Sequence, residues 1–206
     1  MKTAMAILAA LAVSGCALTS KSEALDIHYF TPANSANVQT NPNAVNASEL
    51  RLGRVAAGDN LHERIAFSDG GHEVGYYDDR RWTERPDFYV RRALTRALFE
   101  KRGLKHVVAG EAPTFDVDVI SFEEIKTKTK HAVRIELAIQ LSDDHAVLFE
   151  ARRTVEKPVG DDKTFETVVA AMSEALDDAT NQVADSVATA LRSRPEAPAP
   201  ARSSSR

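Results

Sequence analysis

The sequence predicts an α/β (α+β) domain, in which a mixed β-sheet carries helices on its faces and ends in a long C-terminal helix. Three observations point there. Val133, Ile135, Leu137, Ile139 and Leu141 alternate with Arg134, Glu136, Ala138 and Gln140, which is the period of a half-buried strand. From Phe165 through Val168, Val169, Met172, Leu176, Ala179, Val183 and Val187 to Leu191, apolar residues recur in steps of three or four, which is one helix with one buried stripe. The remaining periodic segments run in the order strands, helix, strands, helix, a pattern that layers helices on a sheet.

The elements follow in order. Leu25–Phe30 reads as a strand-like piece. TPANSANVQTNPNAVNAS, residues 31–48, has no periodicity and reads as a linker. A flexible stretch of that length has an r.m.s. span of ~20–25 Å. Leu50–Val55 is an expected strand, and Leu61–Phe67 with Glu73–Tyr77 form an expected hairpin around Ser68-Asp69-Gly70-Gly71. Pro86 and Asp87 open a helix with Val90, Leu94, Ala97 and Leu98 at helical spacing, and Gly103 ends it. Phe115–Val119 alternates as a strand, and Val147–Ala151 pairs with the 133–141 strand across Asp143-Asp144. Asp161 or Asp162 is placed to cap the last helix. The expected organisation is a leader at 1–15, a modified N-terminus with strand and linker at 16–47, a globular domain at 48–193 and a Pro/Ser-rich tail at 194–206.

The leader, MKTAMAILAALAVSG, has one positive residue, Lys2, and an apolar run from Ala4 to Val13. That is a secretory signal layout, and its run is about half the length needed to span a bilayer. Val13-Ser14-Gly15-Cys16 resembles a bacterial lipobox, and Cys16 is the only cysteine in the 206 residues. The resemblance implies a diacylglyceryl thioether on Cys16, cleavage before it and acylation of the new amino terminus. Palmitate-type chains in that number hold a protein stably on a membrane. Ala17 and Leu18 after the cysteine, where an aspartate would favour the inner membrane, point to the periplasmic face of the outer membrane. A lone cysteine forms no internal disulfide.

The formal net charge is −4, and one unit more negative without Lys2, so nucleic acid is not an expected partner. The one basic cluster is local: Arg80, Arg81, Arg85, Arg91, Arg92 and Arg96. His62-Glu63-Arg64-Ile65-Ala66 begins like a zinc-protease motif but has Ala66 where the second ligand belongs, so no metal is expected. Nucleophile elbow, P-loop and Rossmann fingerprints are missing. Glu123-Glu124 is expected as a solvated strand end and Asp161-Asp162 as a helix cap, not as catalytic pairs. The only expected non-protein group is the covalent lipid on Cys16.

The segment HEVGYYDDRRWTERP carries two of four tyrosines and the sole tryptophan among arginines. Trp, Tyr and Arg carry much of the energy at protein interfaces. Tyr76, Tyr77, Arg80, Arg81 and Trp82 are therefore candidates for a partner surface. The other reading, in which the aromatics pack sheet against helix with arginines on the rim, stays open.

LRLGRVAAGDNLHERIAF, HEVGYYDDRRWTERP and RRALTRAL, followed by FDVDVISFEE, VRIELAIQLSD and FETVVAAMSEALDDATNQVA, resemble the ABC-type transport auxiliary lipoprotein family from about Leu25 to Leu191. The resemblance implies a fold similar to the TolB amino-terminal domain. It also implies a non-enzymatic accessory to an inner-membrane permease, an ATPase and a periplasmic MCE-domain protein that move lipid across the envelope. No catalytic residue carries over. The Asn-rich insert and the Pro/Ser tail depart from the family pattern. A lipid-binding carrier and an outer-membrane assembly scaffold are the alternative readings, and the long last helix leaves homo-oligomeric, ring-like association open.

Overall fold

The computed structural model describes residues 25–33, 48–160 and 164–193. The lipobox, Asp161-Asp162, most of the linker and the tail lie outside the described residues.

The strands are β1 (His28–Phe30), β2 (Glu49–Ala57), β3 (Arg64–Ser68), β4 (Val74–Trp82), β5 (Lys105–His106), β6 (Thr114–Lys126), β7 (His131–Ser142) and β8 (Val147–Pro158). Helix α1 (Pro86–Thr95) continues as a π-helical turn over Arg96–Lys101, and α2 covers Phe165–Arg192. All eight strands form one mixed sheet.

Strand β6 organises it. One edge pairs antiparallel with β7 along its whole length. The other edge is shared: β2 pairs with Thr114–Val119 and β3 with Glu123–Ile125, both parallel. β4 pairs antiparallel with β3, and β1 runs parallel to β4 through His28↔Arg80, Tyr29↔Arg81 and Phe30↔Trp82. The first strand thus belongs to the same sheet as the globular unit that follows the linker.

Both helices lie on one face of the sheet: α1 packs on β2 and β6, α2 on β7 and β8, and the helices touch each other. Alternation explains the choice of face. Phe115, Val117 and Val119 of β6 and Leu137, Ile139 and Leu141 of β7 point under the helices and are buried. The opposite face carries cross-strand ion pairs instead, Arg54–Asp118 at 3.0 Å, Arg152–Glu136 at 3.0 Å and Arg134–Glu156 at 2.8 Å. Such a face stays solvated at little cost.

Helix α2 buries Val168, Met172, Leu176, Val183 and Val187 with alanines 171, 175, 179, 184 and 188 between them. Each large side chain contributes ~1.5–3 kcal/mol on burial, and the alanines bring the helix axis close to the sheet. Among the described residues no helix is long and apolar enough to cross a membrane. Helix α1 starts at Pro86, whose fixed φ suits the first helical position. Its π-helical end stops at Gly103, which takes φ +67 in the left-handed region. Arg102 clamps this end to α2 through Asn181 Oδ1 at 2.7 Å and Asp185 at 2.9 Å.

Two irregularities determine the site. In β6 the register shifts between Val119 and Ser121, leaving Ile120 as the extra residue. A bulge of one residue inverts the parity of everything after it. Phe122 and Glu124 therefore turn under the helices. In β4 the register with β3 shifts between the Tyr76 and Arg81 pairings. Arg81 Nη1 donates to the carbonyls of Tyr77 and Arg80, both at 2.9 Å, and satisfies the backbone that the bulge leaves unpaired.

Candidate functional site

Strand β4 distributes the five aromatic and basic candidates over two faces. Trp82 does not reach the surface: it is 1% exposed, set edge-on to Phe122 at 5.5 Å and to Tyr89 at 6.3 Å. This corrects its assignment as a partner-facing side chain. Its pairing opposite Phe30 and the bulge before it turn the indole under α1. Tyr89 belongs to the same cluster, with its hydroxyl hydrogen-bonded to Thr83 Oγ1 at 2.8 Å and accepting from Glu84 N at 3.0 Å. Tyr76 is half-buried, donates to the Asn60 carbonyl at 2.9 Å and lies under the Arg64 guanidinium.

Tyr77 and Arg80 come together beside the start of α2. The Arg80 guanidinium lies 4.5 Å from the Tyr77 ring centre and 4.4 Å from that of Phe165. Phe30 closes the group against Phe165 at 4.8 Å. Cation–π contacts of this kind contribute ~0.5–2 kcal/mol and hold the guanidinium plane in place. A cavity of about 420 Å³ opens here, walled by Tyr77, Arg80, Phe165, Val168, His131 and Lys126.

At its floor is Glu124, 1% exposed. Tyr77 Oη donates to its Oε2 at 2.6 Å, and His131 Nε2 lies 2.6 Å from its Oε1. The expectation of a solvated Glu123-Glu124 strand end is overturned for both residues. The β6 bulge rotates Glu124 inward, while Glu123 is 8% exposed on the other face and is met by Arg134 at 3.5 Å. A buried carboxylate is costly without partners, and for Glu124 the two flanking strands β4 and β7 supply them. Burial, first, and then the hydrogen bond to Glu124 push the Tyr77 phenol well above the usual tyrosine range. Burial likewise raises Glu123 above the usual carboxylate range, against the opposing pull of Arg134.

The second half of the zinc-motif fragment is strand. Arg64 and Ala66 are in β3, and His62 Nδ1 accepts from Arg64 N at 3.2 Å. Among the described residues no group of His, Cys, Asp and Glu is placed to hold a metal ion. Cys16 lies outside the described residues. The site residues missed by sequence reading are Glu124, His131 and Phe165. Only a parity break in β6, Val119-Ile120-Ser121-Phe122, hinted that the second half of the strand was inverted.

The fold and the pocket define a class: a small α+β domain with one polar sheet face and an aromatic-walled, charged pocket beside its last helix. Within that class the chain belongs to the family of the ABC-type transport auxiliary lipoprotein component, whose model matches residues 30–184. Members are lipoproteins, membrane-anchored in the cell envelope, that serve an ABC transporter. A protein of Xanthomonas campestris described under the DUF330 family model superposes with a TM-score of 0.68 at 20% identity, over 80% of this chain and 97% of that one. An uncharacterized protein reaches 0.62 at 14% identity, over 79% and 99%. A hypothetical protein of Chlamydia trachomatis reaches 0.51 at 6% identity, over 72% and 99%. At these identities the likeness is one of fold. No curated relative matches the chain.

Proposed function

We propose that the chain is a non-enzymatic auxiliary lipoprotein of an MCE-linked ABC system that moves lipid across the envelope. It is anchored at the periplasmic face of the outer membrane. The observation that carries this reading is the family match over residues 30–184 downstream of Val13-Ser14-Gly15-Cys16. Acyl chains on Cys16 hold the amino terminus in the bilayer, and Ala17-Leu18 direct it outward. ATP hydrolysis occurs in another subunit, and this domain docks the periplasmic MCE protein.

The docking surface is the pocket where β4 meets the start of α2. Tyr77 and Arg80 are pre-set by Glu124 and Phe165, so they lose little side-chain freedom on binding. Tyr76 and Arg81 lie on the other face of β4, outside this dock, and Trp82 anchors the end of the strand in the core.

The test is fractionation and co-purification together. Cys16→Ala releases the protein from membranes and leaves the domain folded. Arg80→Ala keeps it on the membrane and lowers recovery of the MCE protein severalfold. A Cys16→Ala protein that still sediments with membranes in high salt rules out the anchor. Unchanged recovery with Arg80→Ala rules out the pocket as the dock.

A further inference from the structure

Leu25, Ile27 and Tyr29 are 56%, 40% and 65% exposed. They occupy alternate positions, and the residue after them, Phe30, packs on Phe165 in the core layer. Single exposed apolar residues need no explanation, but three at alternate positions, the last on the edge strand and two just before it, are a patch. The register extends it. Tyr29 sits beside Arg81, and Arg81 beside Arg64, so the three share the sheet face away from the helices. Arg81 is held by two carbonyls through Nη1 and meets no carboxylate among the described residues. The patch precedes residue 30, where the family match begins. It also lies nine residues after Cys16, a stretch that spans at most about 30 Å even when fully extended.

We infer that Leu25, Ile27 and Tyr29 rest on the lipid surface in which Cys16 is anchored, with Arg81 against headgroup phosphates. The chemistry matches that surface. A tyrosine has an apolar ring and a polar tip, which suits the boundary between acyl chains and headgroups. A guanidinium with free donors binds phosphate in fork geometry. The tether is too short to let the patch drift far from the bilayer. The domain is then held in one orientation: the edge bearing β1 faces lipid, and the opposite edge bearing β8 faces away.

This inference rests on the Cys16 anchor, and the experiment separates the two. The full lipidated protein is reconstituted into phosphatidylethanolamine–phosphatidylglycerol vesicles, with and without brominated acyl chains. Tyr29→Trp adds a reporter beside the buried Trp82, and Thr154→Trp places one on β8 at the far edge. Vesicle flotation is read in the same samples. The expected result is flotation of all variants, with a blue-shifted Tyr29→Trp component that brominated lipid quenches and that Thr154→Trp lacks. Flotation with no quenching at Tyr29→Trp overturns the lipid contact and leaves the anchor standing. A blue shift that follows protein concentration and ignores brominated lipid also overturns it, in favour of contact with a second copy. Protein that fails to float removes the anchor, and the orientation falls with it.

Discussion

Trp82→Ala decides between a contact surface and a core. The indole is 1% exposed and edge-on to two rings, Phe122 and Tyr89. Deleting a buried Trp costs about 3–5 kcal/mol through lost transfer energy and the cavity left behind. The two ring contacts keep this site off the bottom of that range, at ~4 kcal/mol. A domain of this size has only about 5–15 kcal/mol in total. At about 2–4 °C per kcal/mol, the melting temperature falls by roughly 8–16 °C. Trp82→Phe is milder, at roughly 1–2 kcal/mol. It keeps a ring in place and loses no hydrogen bond, because the buried Nε1 has no partner among the described residues. Urea unfolding followed by far-ultraviolet circular dichroism reads both, with a shifted midpoint and an unchanged m-value. A cost below about 1 kcal/mol for Trp82→Ala, with lowered partner recovery, would falsify the core assignment.

Two further outcomes are expected. Tyr77→Phe leaves Glu124 with His131 alone and costs about 1–3 kcal/mol at neutral pH. The phenol pKa is raised in the folded state, so its contribution is fully present below the ordinary tyrosine value of about 10 and is lost as pH climbs above it. Wild-type unfolding free energy should therefore fall above that pH more steeply than that of Tyr77→Phe, and parallel pH curves refute the linkage. Gly75→Ala places a methyl 2.5 Å from Cζ of Phe67, whose ring already packs on Tyr77 at 5.1 Å. The overpacking costs about 1–3 kcal/mol in a thermal melt, and an unchanged melting temperature shows that the Phe67 ring is free to move.

Much of the fold was legible wherever period and partner agreed. β7 alternates without a break, and α2 repeats its stripe to Leu191, so both were placed within a few residues. The strand at 115–119 was legible only as far as Val119, because the bulge at Ile120 reverses the alternation and hides residues 121–126. The second half of β8, Arg152-Arg153-Thr154-Val155-Glu156-Lys157, is too polar to read as a strand. It is one because an edge strand with a solvated face tolerates charge. Glu124 and Trp82 fail for a shared reason. Residue type predicts their usual surroundings, but a one-residue shift in register decides which face they occupy. The composition of the aromatic–arginine segment is legible in the sequence, yet only the three-dimensional pairing divides it into a buried indole, a pocket wall and a bulge clamp.

The parallel pairing of β1 with β4 also determines how the domain answers force. A pull on the chain from its amino-terminal side loads β1 along its own length, so its ladder with β4 and the Thr83 N to Phe30 O bond at 2.9 Å are strained in shear together. Three residues make a short ladder, whereas β2 is gripped by both β6 and β5. Under rising tension β1 slips first and β2 holds. Release of β1 takes Phe30 off Phe165 and frees the chain between Leu25 and Ser48, whose full extension is about 80 Å. The edge strand is therefore the domain's mechanical fuse: it gives length at the cost of one aromatic contact, before β2 and β6 part.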